Sequence, residues 1–253
     1  MKFIHITDPH LVDPSTLLHG LNPELRIARC IDDINVNHPD AECCVITGDL
    51  ADAGGKGAYE LLQREIDRCI IPCHLLIGNH DHRERVCEQI NSVQLDANGF
   101  VQSAIETSEG VFLLLDTVEQ GTHSGEYCEA RQSWLKKQLE EHKGESVFLF
   151  MHHPPFDIHL PCLDEIGLKQ QREFAEAVRP YHNNIRHLFF GHAHRPLSGN
   201  WMGISYSSLR GTNHQVKLDF ETPEIIYIDE APEYAVVFVD EDRIVVHTNA
   251  YSL

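Results

Sequence analysis

Short apolar runs recur along the chain, each broken off by a cluster of Gly, Asp, Asn, His or Pro: Phe3 to Ile6, Cys43 to Ile46, Leu75 to Ile77, Val111 to Leu115, Val147 to Met151 and Leu188 to Phe190. Runs of this length bounded by turn formers predict buried strands that end in loops. Between them the apolar positions change period. Ile27, Cys30, Ile31 and Ile34 fall on one helical face, as do Leu61, Leu62 and Ile66, Leu135 and Leu139, and Phe174, Ala177, Val178 and Tyr181. Strands alternating with amphipathic helices predict α/β layers around a mainly parallel sheet. Beyond about residue 197 the pattern becomes strand-like, with Ala235 to Val239 and Ile244 to His247 joined across Asp240-Glu241-Asp242. No internal repeat and no Gly/Ser/Pro linker divides the chain. A single domain over 1–253 is therefore expected, with about 197–253 forming a β-rich cap or oligomerisation extension.

Composition narrows the function classes. With 42% hydrophobic and 23% charged residues the chain has the makeup of a folded globular protein, not of a disordered or fibrous one. Its 20 basic and 39 acidic residues leave a net charge of −19, which repels phosphate backbones and anionic lipid, so neither a nucleic-acid polymer nor a membrane is expected as a partner. Eight cysteines occur without a Cys-x-x-Cys pair, which suits reduced thiols and a cytoplasmic location. The N-terminus enters Lys2-Phe3-Ile4-His5-Ile6 without a basic region or cleavage site, and no apolar stretch approaches 18 residues, so neither a signal peptide nor a membrane span is expected. The 18 histidines nearly equal Lys plus Arg, and that proportion directs attention to metal.

The polar clusters that end the strands carry the candidate chemistry. They are Asp8-Pro9-His10, Gly48-Asp49-Leu50-Ala51-Asp52, Gly78-Asn79-His80-Asp81, His152-His153-Pro154-Pro155 and Gly191-His192-Ala193-His194. Residues just past the carboxyl ends of strands in an α/β sheet converge on one crevice. Taken singly, Asp-x-His and Gly-Asp-x-x-Asp read as turn and cap residues. Two histidines at i and i+2 after a strand have little use as packing, and five such clusters in order can build one site. Carboxylate, amide oxygen and imidazole without thiolate suit Mn, Fe, Zn or Co.

This ordered set, from Asp8 to His194, resembles the signature of the calcineurin-like metallophosphoesterases. Phe150-Met151-His152-His153-Pro154-Pro155 and Gly211-Thr212-Asn213-His214-Gln215 further resemble the bacterial branch of class III cyclic-nucleotide phosphodiesterases and glycerophosphodiesterases. The resemblance implies a four-layer sandwich, two mixed sheets flanked by helices. It implies two divalent metal ions, one held by Asp8, His10, Asp49 and His194, the other by Asp49, Asn79, His152 and His192. Asp49 then bridges both. Asp8 and Asp49 would bring two negative charges against four positive ones, leaving a cationic centre that attracts phosphate. The implied reaction is in-line phosphodiester hydrolysis by a hydroxide generated on ions roughly 3.5 to 4 Å apart. His80 is expected to face the phosphate and stabilise the transition state or protonate the leaving oxygen. The catalytic set is thus His80, Asp49 and Asn79, and the substrate contacts are His80, Asn79 and, from the branch match, His214.

Around these, Asp52 is expected to support a ligand imidazole, and His153, beside His152, to support the pocket. His5, His74 and His187 read as packed or paired histidines, and His82, His123 and His159 as rim positions. Phosphatases of this superfamily place an arginine after the second aspartate of Gly-Asp-x-x-Asp and a glutamate at the end of the third motif. Here Ala53 and Asp81 stand there, which favours a small phosphodiester over a monoester. Cyclic nucleotides such as cAMP rank ahead of glycerophosphodiesters, then phosphomonoesters, then a non-catalytic scaffold. Phe156, Trp201 or Tyr206 could supply a surface for a base. Loops around 11–22, 154–168 and 196–214 are expected at the pocket rim, and a homodimer or higher homo-oligomer is expected from the tail.

Overall fold

A computed structural model describes residues 1–93 and 95–253. The first half alternates as read through β1 (Lys2–Ile6), α1 (Pro23–Asn37), β2 (Cys44–Thr47), α2 (Lys56–Arg68) and β3 (Cys73–Leu76), followed by a short helix that no periodicity indicated, α3 (Arg83–Gln89). There follow β4 (Ser103–Thr107), β5 (Gly110–Leu115), α4 (Glu129–Glu141), β6 (Val147–Met151), α5 (Pro161–Asp164), α6 (Gln171–Val178) and β7 (Ile185–Phe190). The tail contributes β8 (Leu197–Trp201), β9 (Ile204–Ser208), β10 (Gln215–Val216), β11 (Tyr227–Ile228), β12 (Glu233–Val239) and β13 (Ile244–Ala250). Helix α1 starts where Asn22 accepts the Leu25 N–H and Pro23 pre-sets the first turn, and it buries Ile27, Cys30, Ile31 and Ile34.

Eleven of the described strands form two sheets, not the single sheet that periodicity suggested, and both are mixed. One runs β13-β12-β1-β2-β3 and the other β4-β5-β6-β7-β9-β8. Strands β1, β2 and β3 are parallel, as are β5, β6, β7 and β9, while β12, β4 and β8 join antiparallel. Period-two alternation explains the layers. Phe3 and Val45, with Phe112, Leu114, Phe148, Phe150 and Phe189, point between the sheets. Their neighbours Ile4, Ile6, Cys44 and Ile46 pack against α1 and α2, and Leu113, Leu115, Leu149, Met151, Leu188 and Phe190 pack beneath α4 and α6. Both faces of each central strand are therefore apolar, which is why these strands read as unbroken hydrophobic runs. Each buried Phe of the middle layer is worth about 2–3 kcal/mol of transfer free energy.

The segment 197–253 does not stand apart. Strands β8 and β9 extend one sheet, β12 lies inside the other beside β1, and the hairpin β10–β11 alone is separate from both. No helix among the described residues is long and apolar enough to cross a membrane.

Candidate metal centre

Strands β1, β2 and β3 of one sheet and β6 and β7 of the other deliver the five polar clusters to one place, at the seam between the sheets. The turns that follow them are sharp. Asp8, His10, Asp49, His192 and His194 all have positive φ, between 45° and 64°. A non-glycine residue in that region costs about 1–3 kcal/mol, so the packing around these turns holds five of them against their preference. Gly78 is required for a different reason: a Cβ there would overlap the carboxylate and amide of Asp49. Asp81, which the sequence reading used only as a departure from glutamate, ties the second turn to the third. Its buried carboxylate accepts the N–H groups of Leu50, Ala51 and Gly78 at 2.9–3.0 Å and the Tyr59 hydroxyl at 3.0 Å. Burial and the nearby Asp49 raise its pKa to about 6.

The side chains form two adjoining groups of donors. In the first, His10 Nε2 lies 3.1 Å from His194 Nε2 and 3.3 Å from Asp49 Oδ2, and His194 Nε2 lies 3.4 Å from Asp8 Oδ1. In the second, His152 Nε2 lies 3.3 Å from the same Asp49 Oδ2 and 3.1 Å from Asn79 Oδ1, which is also 3.0 Å from His192 Nδ1. The far nitrogens settle the protonation. His10 Nδ1 donates to Asp52, His152 Nδ1 to the Thr47 carbonyl at 2.8 Å, and His194 Nδ1 to the His214 carbonyl at 2.9 Å. In each ring, when neutral, the lone pair is then on Nε2, and these nitrogens converge with the Asp8, Asp49 and Asn79 oxygens at about 3 Å. Donors that share an ion at bonds of about 2.0–2.2 Å stand at such separations, so the set fits cations.

The charges agree. Burial alone would keep His10 and His152 neutral, but Asp49 and Asp52 raise His10 to about 10, and Asp49 raises His152 to about 9. Burial would lift the Asp49 carboxyl, yet His152, His80 and His10 hold it well below the usual carboxylate range. Protons on two imidazoles thus stand in for cations when no metal is bound. Burial depresses His192 and His194, and His192 Nε2 is buried without a partner while its Nδ1 faces the centre. The first group fits a divalent ion of the Mn, Fe, Zn or Co class; the second, sharing Asp49 Oδ2, fits another.

Asp52 Oδ1 meets His10 Nδ1 at 3.1 Å. His153 is buried between the Thr117 hydroxyl at 2.8 Å and the His123 carbonyl at 3.1 Å. His5, read as a packed residue, begins a relay: its Nε2 meets Thr47 Oγ1 at 2.8 Å, Thr47 donates to Thr7 Oγ1 at 2.8 Å, and Thr7 donates to Asp8 Oδ2 at 2.6 Å. No sequence pattern singled out Thr7 or Thr47. His214 is 2% exposed, stacks on His194 with ring centroids 4.6 Å apart, and is not among the residues that line the cavity.

The cavity above the centre is about 220 Å³. Its polar side is His10, Asp49, Asn79, His80, His123, His192 and His194, and its apolar side is Leu163, Ile166, Val216, Ile225 and Tyr227. No Lys or Arg is among these residues. Of the expected rim loops, 154–168 contributes Leu163 and Ile166, whereas 11–22 and 196–214 contribute none, and the hairpin β10–β11 adds Val216, Ile225 and Tyr227. Phe156, Trp201 and Tyr206 pack on one another in a separate hollow and do not line it.

A model of the calcineurin-like phosphoesterase family matches residues 1–196. The chain belongs to this family. As a calcineurin-like phosphoesterase it is 38% identical over 251 residues to a probable cyclic nucleotide phosphodiesterase of Rhodopseudomonas palustris, with 98% of this chain and 91% of the relative covered. It is 26% identical to a probable glycerophosphodiester phosphodiesterase of Arcobacter nitrofigilis, with 98% and 93% covered. A dimetal phosphatase from Danio rerio shares the fold, with a TM-score of 0.75, 17% identity and 99% of both chains covered. The α/β sandwich and metal-dependent phosphoesterase chemistry follow from these matches together with the donor set.

Proposed function

We propose that this phosphoesterase hydrolyses small phosphodiesters at a two-metal site, with cyclic nucleotides such as cAMP ahead of glycerophosphodiesters. The observation that carries the reading is a cavity whose one wall is a converging set of lone pairs and whose other wall is apolar, without a single Lys or Arg. Asp8, His10, Asp49 and His194 would hold one ion, and Asp49, Asn79, His152 and His192 the other. Bound there, two divalent ions supply Lewis acidity at the phosphoryl oxygens and lower the pKa of water.

The chain's own residues supply the rest. The backbone N–H of His80 donates to Asp49 Oδ1 at 2.9 Å, which leaves Oδ2 as the shared oxygen. The His80 ring lines the cavity, and its Nδ1 donates to the Asp52 carbonyl at 2.6 Å, fixing the ring so that Nε2 is the nitrogen left for substrate. Protonated, it can neutralise the leaving oxygen of an ester. A monoester dianion would call for a further cation, and the wall offers none; a diester carries one negative charge less. The apolar side, with Tyr227 at its edge, suits a base better than a glycerol.

The test is turnover of Mn²⁺-loaded protein on cAMP, glycerophosphoethanolamine, bis(p-nitrophenyl) phosphate and p-nitrophenyl phosphate, with Asp49→Asn to exclude contaminants. We expect both cAMP and the aryl diester to be cleaved far faster than the aryl monoester, and both activities to vanish in the variant. The Arcobacter relative supports glycerophosphoethanolamine as the second choice, and a preference for it over cAMP would shift the substrate within the diesters. A preference for the monoester would overturn the reading.

A further inference from the structure

Asn79 has an ambiguity that no other donor of the centre shares: its carboxamide presents either oxygen or NH₂ to an ion, and only the oxygen can bind. Its Oδ1 faces the His152 and His192 nitrogens. Its Nδ2 lies 3.0 Å from His123 Nδ1, on a loop far away in sequence. An amide NH₂ only donates, so His123 Nδ1 must be the acceptor. With the amide reversed, Oδ1 would face that ring lone pair and the NH₂ would face the ion.

The loop that carries His123 is anchored on several sides. The His123 carbonyl accepts His153 Nε2 at 3.1 Å, and His153 Nδ1 takes the Thr117 hydroxyl at 2.8 Å. At the base of the loop, Arg83 grips the Asp116 carboxylate at 2.8 and 3.0 Å, and Arg131 donates to the Val118 carbonyl at 3.0 Å. Such anchoring holds a ring in place at the edge of a site, which a merely solvated histidine does not need.

Resting on the two-metal reading, we infer that His123 is a positioning residue: by accepting the Asn79 N–H it locks the amide with Oδ1 toward the second ion and so sets the affinity of that ion alone. Residues that orient a metal ligand in this way change affinity or activity by about 10–100-fold when removed. The ring is exposed, so its substitution leaves the core untouched.

The test is titration of chelator-stripped protein with Mn²⁺ alone, the free ion read by electron paramagnetic resonance. Wild type should take up two ions. His123→Ala, checked for an unchanged melting temperature, should keep the tighter site and weaken the second by tenfold or more. His123→Gln, whose Oε1 can accept the same N–H, should return the second site to within about threefold of wild type. Activity of His123→Ala at limiting Mn²⁺ should fall by a similar factor and recover at excess Mn²⁺. Equal weakening of both sites, no weakening, or a Gln variant as poor as the Ala variant would each overturn the inference. A wild type that takes up one ion would overturn the two-metal reading itself, and the inference with it.

Discussion

Neighbouring side chains of the centre take different roles according to what their far atoms touch. His152 gives its Nδ1–H to the Thr47 carbonyl and keeps its lone pair for the donor cluster; His80 gives its Nδ1–H to Asp52 and turns Nε2 to the cavity. Removing the His80 ring should therefore cost chemistry and not metal. In His80→Ala we expect turnover to fall by about 10²–10⁴-fold, the range for a proton-transfer residue, with metal content by mass spectrometry at the wild-type level; loss of metal would mean that His80 belongs to the ligand set. Thr7 makes the converse case. Its hydroxyl donates to Asp8 Oδ2 in a buried relay, and Thr7→Val removes that bond with little change of shape. The first ion's affinity should drop about tenfold, read by the same Mn²⁺ titration, and an unaltered affinity would show that Asp8 needs no such brace. The contrast also explains what was legible. His80 lies inside a dense polar cluster after an apolar run, whereas a threonine within or after a strand is common and its hydroxyl partner depends on which strands become neighbours.

At the scale of elements, the strands that build the floor were readable, whereas of the apolar wall only the 154–168 loop was, and the hairpin was not. Strands β1, β2, β5, β6 and β7 are buried on both faces, so each shows as a continuous hydrophobic run. Edge strand β4 is mostly exposed and shows no such run, and β10 and β11 have two residues each. The hairpin they form nevertheless places Val216, Ile225 and Tyr227 against the cavity. Tyr227 is 40% exposed, and its ring is held 4.2 Å from that of His19 and 4.6 Å from that of His214. An exposed aromatic ring fixed by two imidazoles is a surface on which a base can stack. Tyr227→Ala should raise KM for cAMP about tenfold, equivalent to roughly 1.4 kcal/mol, and leave KM for glycerophosphoethanolamine within about twofold. Equal changes for both substrates would assign Tyr227 to holding the hairpin and not to specificity.

For the whole molecule, the centre draws donors from both sheets, so it lasts only as long as the sheets stay together. Two histidines lie in the layer between them. His5 on β1 packs against Phe150 and Phe189, with its Nε2 on Thr47; His187 on β7 packs 4.2 Å from Phe189, with its Nε2 on Ser207. Burial lowers both, His187 to about 4 and His5, with His187 adding to the effect, to about 3. Both are therefore neutral in the folded protein at pH 5, whereas a histidine of the unfolded chain takes up a proton below about 6.5. Protons then bind the unfolded state in preference, and stability falls as pH drops from about 6.5 toward 4. The linkage amounts to about 2 kcal/mol per histidine at pH 5. Burial also lowers His192 and His194 of the centre, and comparison with a variant separates their contribution. Urea denaturation of wild type and His187→Gln at pH 7 and pH 5 should show the variant losing about 2 kcal/mol less between the two. Parallel losses would mean that His187 is protonated inside the fold, and that the layer joining the two sheets admits a charge that its apolar packing should exclude.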